Sequence, residues 1–210
     1  MSEPRIGVVV LAAGASLRMG EPKQLLRYGG ETLLSRAARA ALDSSCRPAV
    51  VVLGSNAEEL QKELAAACVR VVVNGEWAEG MSSSIRCGLR ALEESAAGGV
   101  EAAVFLLCDQ PFVTSDIVNR LVEAYRARRA PLVVSEYGDA GEKTRGVPAL
   151  FSRALFAELE ELRGAEGARR VIARHAAEAE VVKAPEAAFD VDTPDDYRAL
   201  RDREARDAQS

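Results

Sequence analysis

The stretch Ile6–Leu11 is an apolar, largely β-branched run that closes on Ala12-Ala13-Gly14. A strand with one wet face alternates polar and apolar residues, whereas this run has no polar position. It must be covered on both faces, which points to a parallel sheet with helices packed on either side. Similar runs recur at Ala49–Leu53, Val69–Val73, Ala102–Leu107 and Leu132–Ser135. Helical spacing separates them at Leu33–Leu42, Ala57–Cys68, Ser84–Leu92 and Ile117–Arg128, with Ser55-Asn56 and Thr114-Ser115-Asp116 as cap candidates. Strand and helix alternate, so the expected fold is α/β: a single doubly wound domain with a mostly parallel sheet flanked by helices.

The pattern changes after Tyr137. Gly138–Gly146 is polar and glycine-rich and reads as a mobile loop. A short apolar run (Val147–Phe151), helices near Arg153–Leu162 and Ala168–His175, and strands at Glu180–Lys183 and Ala188–Val191 are expected next. Pro194 suits the first turn of a final helix, and Asp202–Ser210 reads as a frayed tail. One domain over residues 1–201 is the expectation, since the 210 residues show no internal repeat or linker.

Composition removes several function classes. The net charge of −5 argues against a large nucleic-acid surface, which needs a basic footprint. No run of about 18 apolar residues offers a membrane span, and the start MSEPRIGVVVLAAG reads as a first strand rather than a secretory signal. A cytoplasmic protein without nucleic-acid or membrane partners is expected. Cys46, Cys68, Cys87 and Cys108 show no CxxC spacing, and with His175 as the one histidine they read as buried or inert thiols, not a zinc site.

In an open parallel sheet, ligands gather at the carboxyl ends of the strands. Three clusters lie there. Leu11–Leu26 leaves the first strand as a long loop with Gly14, Gly20, Arg18 and Lys23. Its small residues let a ligand approach the backbone, and its cations suit phosphate oxygens. It matches neither the Walker A spacing nor GxGxxG, so the residues alone leave an anion loop or an ordinary surface loop. The second cluster, Leu107-Cys108-Asp109-Gln110-Pro111, ends a strongly apolar strand with one carboxylate on a rigid turn. Such a carboxylate suits Mg2+, which takes one or two protein carboxylates and leaves the rest to water and phosphate; helix capping is the other reading. The third, Phe189–Asp196, alternates Asp190 and Asp192 with apolar residues, so on a strand both carboxylates face one side. Capping by Asp192 competes with metal binding there. Asp195 and Asp196 suit the first turn of the following helix.

The run Leu11-Ala12-Ala13-Gly14-Ala15-Ser16-Leu17-Arg18-Met19-Gly20-Glu21-Pro22-Lys23-Gln24-Leu25-Leu26 resembles the LAAGxSxRMGxPKxLL signature of nucleotidyltransferases related to molybdenum cofactor enzymes. Asn74-x-x-Trp77-x-x-Gly80-Met81-x-x-Ser84-Ile85-x-x-Gly88-Leu89, Asp109-Gln110-Pro111, Gly146-Val147-Pro148 and Asp190-Val191-Asp192-Thr193-Pro194 match further stations in order. The resemblance runs from about residue 6 to 200 and is nearest the molybdenum cofactor cytidylyltransferases, where LAAG replaces LAGG. It implies transfer of CMP from CTP to molybdopterin cofactor with release of pyrophosphate, dependent on Mg2+. It further implies that Leu11, Ala12, Ala13 and Gly14 line the nucleotide. Arg18 would hold the outer phosphates and Lys23 the α-phosphate, while Gly80, Met81 and Ser84 would contact base or ribose. Asp109 with Asp192 or Asp190 would bind metal, and Gly146, Pro148, Gly167 and Ala168 would face the acceptor. Lys23, Arg18 and Asp109 are the implied catalytic residues. A receiving molybdoenzyme is the implied macromolecular partner.

Two rival readings stand. One is transfer to another phosphorylated acceptor, a sugar phosphate or methylerythritol phosphate. The other is a non-catalytic chaperone that delivers finished cofactor to a molybdenum hydroxylase. Trp77 is placed to stack on a ring or to pack. Arg169, Arg170 and Arg174 read as a solvated helix face or as contacts to an acidic cofactor, and His175 as a partner of its helix C-terminus.

Overall fold

The structure is a computed structural model that describes residues 3–138 and 143–207. Strands β1 (Ile6–Ala12), β4 (Ala49–Leu53), β5 (Arg70–Val73), β6 (Ala102–Leu107), β7 (Leu132–Tyr137), β8 (Thr144–Ser152) and β9 (Glu180–Lys183) form one seven-stranded sheet. A two-stranded hairpin, β2 (Arg27–Tyr28) and β3 (Glu31–Thr32), stands apart from it. The helices are α1 (Leu33–Asp43), α2 (Ala57–Glu63), α3 (Met81–Ser95), α4 (Ser115–Arg128), α5 (Phe156–Glu161), α6 (Arg169–Arg174) and α7 (Pro194–Asp207).

The sheet order is β5-β4-β1-β6-β8-β7-β9. All pairings are parallel except those of β8, which runs against β6 and β7. The chain moves outward from β1 through β4 to β5, then returns to place β6 on the other side of β1. Loops leaving β1 and β6 therefore diverge, and the crevice between them is the switch point at which doubly wound sheets bind ligands.

The run in β1 does what its lack of polar residues demands. Val8, Val10 and Ala12 join one core with residues of α1, α2 and α4; Val9, Leu11 and Ala13 join a second with residues of α3, α5 and α6. Alternate side chains thus enter opposite layers, the period of two expected of a strand. A smaller cluster of Met19, Leu26, Leu33, Val191 and Leu200, with Tyr28, Phe112, Phe189 and Tyr197 against it, ties the loop after β1 to α7.

Several boundaries differ from the sequence reading. The helix expected over Ala57–Cys68 stops at Glu63, because residues 64–69 turn back to bring β5 to the sheet edge. The strand expected at Ala188–Val191 is absent: Pro185–Ala188 is a single helical turn, and Val191 N–H is used by the Asp109 carbonyl at 2.9 Å instead of a neighbouring strand. The stretch from Asp202 is helical through Asp207, not frayed. Glu204 accepts from Gly29 N–H at 2.7 Å, and the Arg203 guanidinium sits 4.2 Å from the Phe112 ring centroid, so this end is docked. The loop expected at Gly138–Gly146 is strand β8 from Thr144; residues 139–142 lie outside the described residues, as do 208–210. No helix among the described residues is long and apolar enough to cross a membrane.

Candidate active site

The loop after β1 is built from within. Ser16 takes a left-handed backbone (φ 55°), and its carbonyl accepts from Met19 N–H at 2.9 Å to close a turn. Buried Gln24 then reaches back: its Nε2 donates to the carbonyls of Ala12 (3.0 Å) and Gly14 (2.7 Å), and its Oε1 accepts from Ser16 Oγ at 3.2 Å. Ser16 Oγ in turn accepts from Lys23 N–H at 3.1 Å. The Gln24 amide thereby satisfies carbonyls that a loop at a strand end would leave unpaired. Gln24 was not among the residues singled out from sequence. Its glutamine follows Lys23 inside the signature, but only loop closure shows what the amide meets.

Lys23 is thereby aimed at the carboxylates. Its Nζ donates to Asp109 Oδ2 at 2.5 Å and to Asp192 Oδ1 at 2.7 Å, and Arg18 pairs with Asp192 Oδ2 at 2.9 Å. Burial alone would lower the Lys23 pKa, but the Asp109 charge and the bonds to both carboxylates outweigh it and hold the ammonium well above the usual lysine range. For Asp192, burial is outweighed by Lys23 and Arg18, so its carboxyl lies below the usual range. Asp190 differs. Burial first, then the Asp109 charge, push its carboxyl up to about 6.

The sequence left capping and site roles open for Asp192, and the structure separates them. Thr193 and Asp196 cap α7 reciprocally: Asp196 Oδ2 accepts from Thr193 N–H at 2.8 Å, and Thr193 Oγ1 accepts from Asp196 N–H at 3.3 Å. Asp192 is left to Lys23 and Arg18. For α4, Thr114 occupies the cap position without a side-chain cap bond.

A cleft of about 280 Å³ opens beside this cluster, lined by Leu11–Ala15, Leu17, Lys23, Gln24, Trp77, Ala78, Gly80, Met81, Ser84 and Leu107–Asp109. It joins two of the sequence-derived clusters to the start of α3. Asn74, buried at the end of β5, donates from Nδ2 to Ser83 Oγ (2.8 Å) and Ser84 Oγ (3.1 Å) and fixes that start. Gly80 precedes α3 with φ +111°, and a Cβ there would lie 2.5 Å from the Gly164 carbonyl oxygen. That carbonyl accepts from Ser82 Oγ at 2.8 Å and Ser82 N–H at 3.3 Å. The backbone contact admits no side chain at residue 80.

Gly146, Pro148, Gly167 and Ala168 do not line this cleft. Gln110 connects the first pair to Asp109: its Nε2 donates to the carbonyls of Ala187 (3.0 Å) and Val147 (3.3 Å). On the other side, a Cβ at Gly167 would lie 3.5 Å from Met81 Cγ, so Met81 is a wall between cleft and loop. Arg170 and Arg174 pair with Glu166 and Glu158, and His175 Nε2 lies 2.8 Å from Glu158 Oε1, so these three form local ion pairs. Arg169 instead faces Tyr137 and Asp190. Cys46 and Cys108 are buried, with thiols pushed up by burial to about 11 and about 12, while Cys87 is half-buried and Cys68 is exposed.

The carboxylates suit a divalent cation. Asp109 Oδ1 and Asp190 Oδ1 are buried without a hydrogen-bond partner, and the Asp109 charge is felt at Asp190. Among the described residues no group of three or more His, Cys, Asp and Glu side chains is arranged to hold a metal ion by itself.

Residues 8–179 match the family model described as the MobA-like NTP transferase domain. The chain belongs to the MobA-like NTP transferases. Purine catabolism protein PucB of Bacillus subtilis, another relative, is 31% identical over 216 residues, covering 96% of this chain and 98% of that protein. Nicotine blue oxidoreductase of Paenarthrobacter nicotinovorans is 38% identical over 127 residues. The chain covers 60% of that relative's length, under two thirds. The crystal structure of Rv0371c from Mycobacterium tuberculosis superposes with a TM-score of 0.80 at 30% identity, covering 96% of this chain and 100% of that one. A second structure of Rv0371c is a complex with manganese, with a TM-score of 0.76. The expected nucleotidyltransferase fold, a single α/β domain of Rossmann type, is the fold found.

Proposed function

We propose that this MobA-like transferase is a Mg2+-dependent cytidylyltransferase that passes CMP from CTP to the terminal phosphate of molybdopterin cofactor. The observation that carries the reading is the Lys23–Asp109–Asp192–Arg18 cluster at the edge of a cleft floored by Leu11–Gly14. Cations and carboxylates meet at one point beside a space lined by backbone, which is what in-line phosphoryl transfer requires. The manganese complex of the relative Rv0371c supports a divalent metal. The choice of CTP rests on Ala12-Ala13, and the choice of acceptor on the ordered motifs.

An oxygen of the acceptor phosphate attacks the α-phosphorus, the bond to the bridging oxygen breaks, and pyrophosphate leaves with that electron pair. The attacking phosphate is an anion at neutral pH, so no general base is needed. Lys23 shifts from its carboxylates to the α-phosphate and Arg18 to the outer phosphates, where both neutralise developing charge. Asp109, with Asp190 or Asp192, would hold Mg2+, which would supply positive charge to offset that of the phosphates. Gly146, Pro148, Gly167 and Ala168 would face the acceptor. The reaction is placed in the cytoplasm, with a molybdoenzyme as recipient of the product.

Purified protein with Mg2+, each of four nucleoside triphosphates, and molybdopterin cofactor tests the reading. Pyrophosphate release should need both CTP and the pterin, and Asp109→Ala should lower turnover by at least ~100-fold. Turnover with a sugar phosphate in place of the pterin removes the acceptor assignment; equal use of GTP removes the base assignment.

A further inference from the structure

Four large apolar side chains stand exposed among the described residues: Leu17 (89%), Val73 (51%), Met81 (38%) and Trp77 (36%). Three of them, Leu17, Met81 and Trp77, line the same cleft. A lone exposed leucine needs no explanation, but three apolar side chains converging on one cleft mark a contact surface.

Trp77 is the chain's only tryptophan, and it is held rather than loose. Asn74 N–H donates to the Leu53 carbonyl at 2.8 Å, which pins the turn to the end of β4. Asn74 Oδ1 accepts from Glu76 N–H at 3.0 Å, Trp77 N–H donates to the Asn74 carbonyl at 3.3 Å, and the Trp77 carbonyl accepts from Gly80 N–H at 3.1 Å. Below it lies Gly54, where a Cβ would fall 2.6 Å from Trp77 Cβ and 2.7 Å from the Ala13 carbonyl oxygen. The missing side chain at 54 is thus what lets Trp77 seat directly against the β1 loop. Among the described residues the indole has no ring or cation partner, although Tyr28, Phe105, Phe112, Phe151 and Phe189 all have ring neighbours.

The cleft also has a direction. Trp77 follows β5 and lies against Gly54 at the end of β4, whereas Lys23 and Asp109 meet in the loops that follow β1 and β6. A ligand with phosphates at the cationic end puts its ring at the tryptophan end. We propose that Trp77 is the platform on which the nucleoside ring of the substrate stacks, with Met81 and Leu17 closing its apolar rim. The proposal rests on the nucleotidyltransferase reading above and adds a substrate-binding residue to it. Stacking recognises the face of a ring, which every base possesses, so Trp77 supplies affinity for bases in general. Discrimination between bases is then left to groups that meet ring edges.

The single tryptophan makes the test direct. Binding of CTP, followed by calorimetry, should change Trp77 emission, while pyrophosphate, which has no ring, should bind without that change. Trp77→Leu should raise the KM for CTP about tenfold or more, with the acceptor KM within twofold and kcat largely kept; Trp77→Phe should restore most of the affinity. The loss should be of similar size for binding of CTP and of GTP. Calorimetric binding of CTP with unchanged emission overturns the proposal and leaves the transferase reading standing. An acceptor KM that rises while the CTP KM holds also overturns it. If neither CTP nor pyrophosphate binds at all, the transferase reading falls and the proposal with it. The emission titration uses the unaltered protein, so it decides the matter even if Trp77→Leu folds poorly.

Discussion

Replacing Lys23 by Met keeps the length and apolar stem of the side chain and removes only the ammonium. Asp109 then loses its partner at 2.5 Å, and Asp192 keeps only Arg18. The Lys23 and Asp109 side chains are 14% and 15% exposed, so little water is at hand to replace the lost contact. Removing one member of a buried pair costs roughly 3–5 kcal/mol, because the other charge stays buried alone. Residual exposure and the surviving Arg18 contact reduce this, and we expect Lys23→Met to destabilise by about 2–4 kcal/mol at pH 7.5. Asp109→Asn in the same background removes the stranded charge, so the double variant should recover about 1–3 kcal/mol of that loss. Urea unfolding of the wild type, both single variants and the double variant completes the cycle. Turnover should stay at least ~100-fold down in both Lys23 variants, since the recovered stability restores no cation for the phosphate. A coupling energy near zero, with Lys23→Met within about 0.5 kcal/mol of wild type, would refute the pairing that organises the site.

Asp190 titrates in the opposite sense. Its folded pKa of about 6 lies above the usual 3.8, so the favourable contribution of its protonated form is present below pH 3.8 and is lost as pH rises through 6. Asp190→Asn should therefore stabilise the metal-free protein by about 1–2 kcal/mol at pH 7.5, discounted for partial exposure, and give almost nothing at pH 3.5. Unfolding midpoints at the two pH values check the sign. Gln24→Ala should cost about 1–3 kcal/mol by stranding the Ala12 and Gly14 carbonyls, and should raise the nucleotide KM more than it lowers kcat. Steady-state kinetics beside a denaturation curve separate the two effects.

The legible parts of this molecule are those written in local pattern. The run Ile6–Leu11 announces a strand covered on both faces, and Val8, Val9 and Val10 alternate between two cores as that requires. Arg18, Lys23 and Asp109 stand out as cations and a carboxylate in loops that follow apolar strands, and the structure brings them together with Asp192. What escaped depends on long-range closure. The alternation of Asp190 and Asp192 imitates a strand, but the Val191 N–H meets the Asp109 carbonyl, and no sheet edge is there to continue. The roles of Gln24 and Gln110 consist of amide bonds to carbonyls 10 to 77 residues away, or to the far side of their own loop, which no spacing rule encodes. Helix ends misjudged by periodicity reflect the same limit: α7 continues to Asp207 because Glu204 finds Gly29 N–H on a distant hairpin.

The contact between Gly80 and Gly164 has a mechanical meaning. The first part of the chain carries the Leu11–Gly14 loop and α3; the later part carries β8 and the 162–168 segment. They share the β6–β8 ladder at the floor of the molecule, and at its mouth Ser82 clasps the Gly164 carbonyl while Arg86 donates to the Leu162 carbonyl at 2.8 Å. Joined at floor and mouth, the two parts are fastened on both sides of the start of α3, so parting them at the mouth would cost the Ser82–Gly164 and Arg86–Leu162 bonds together.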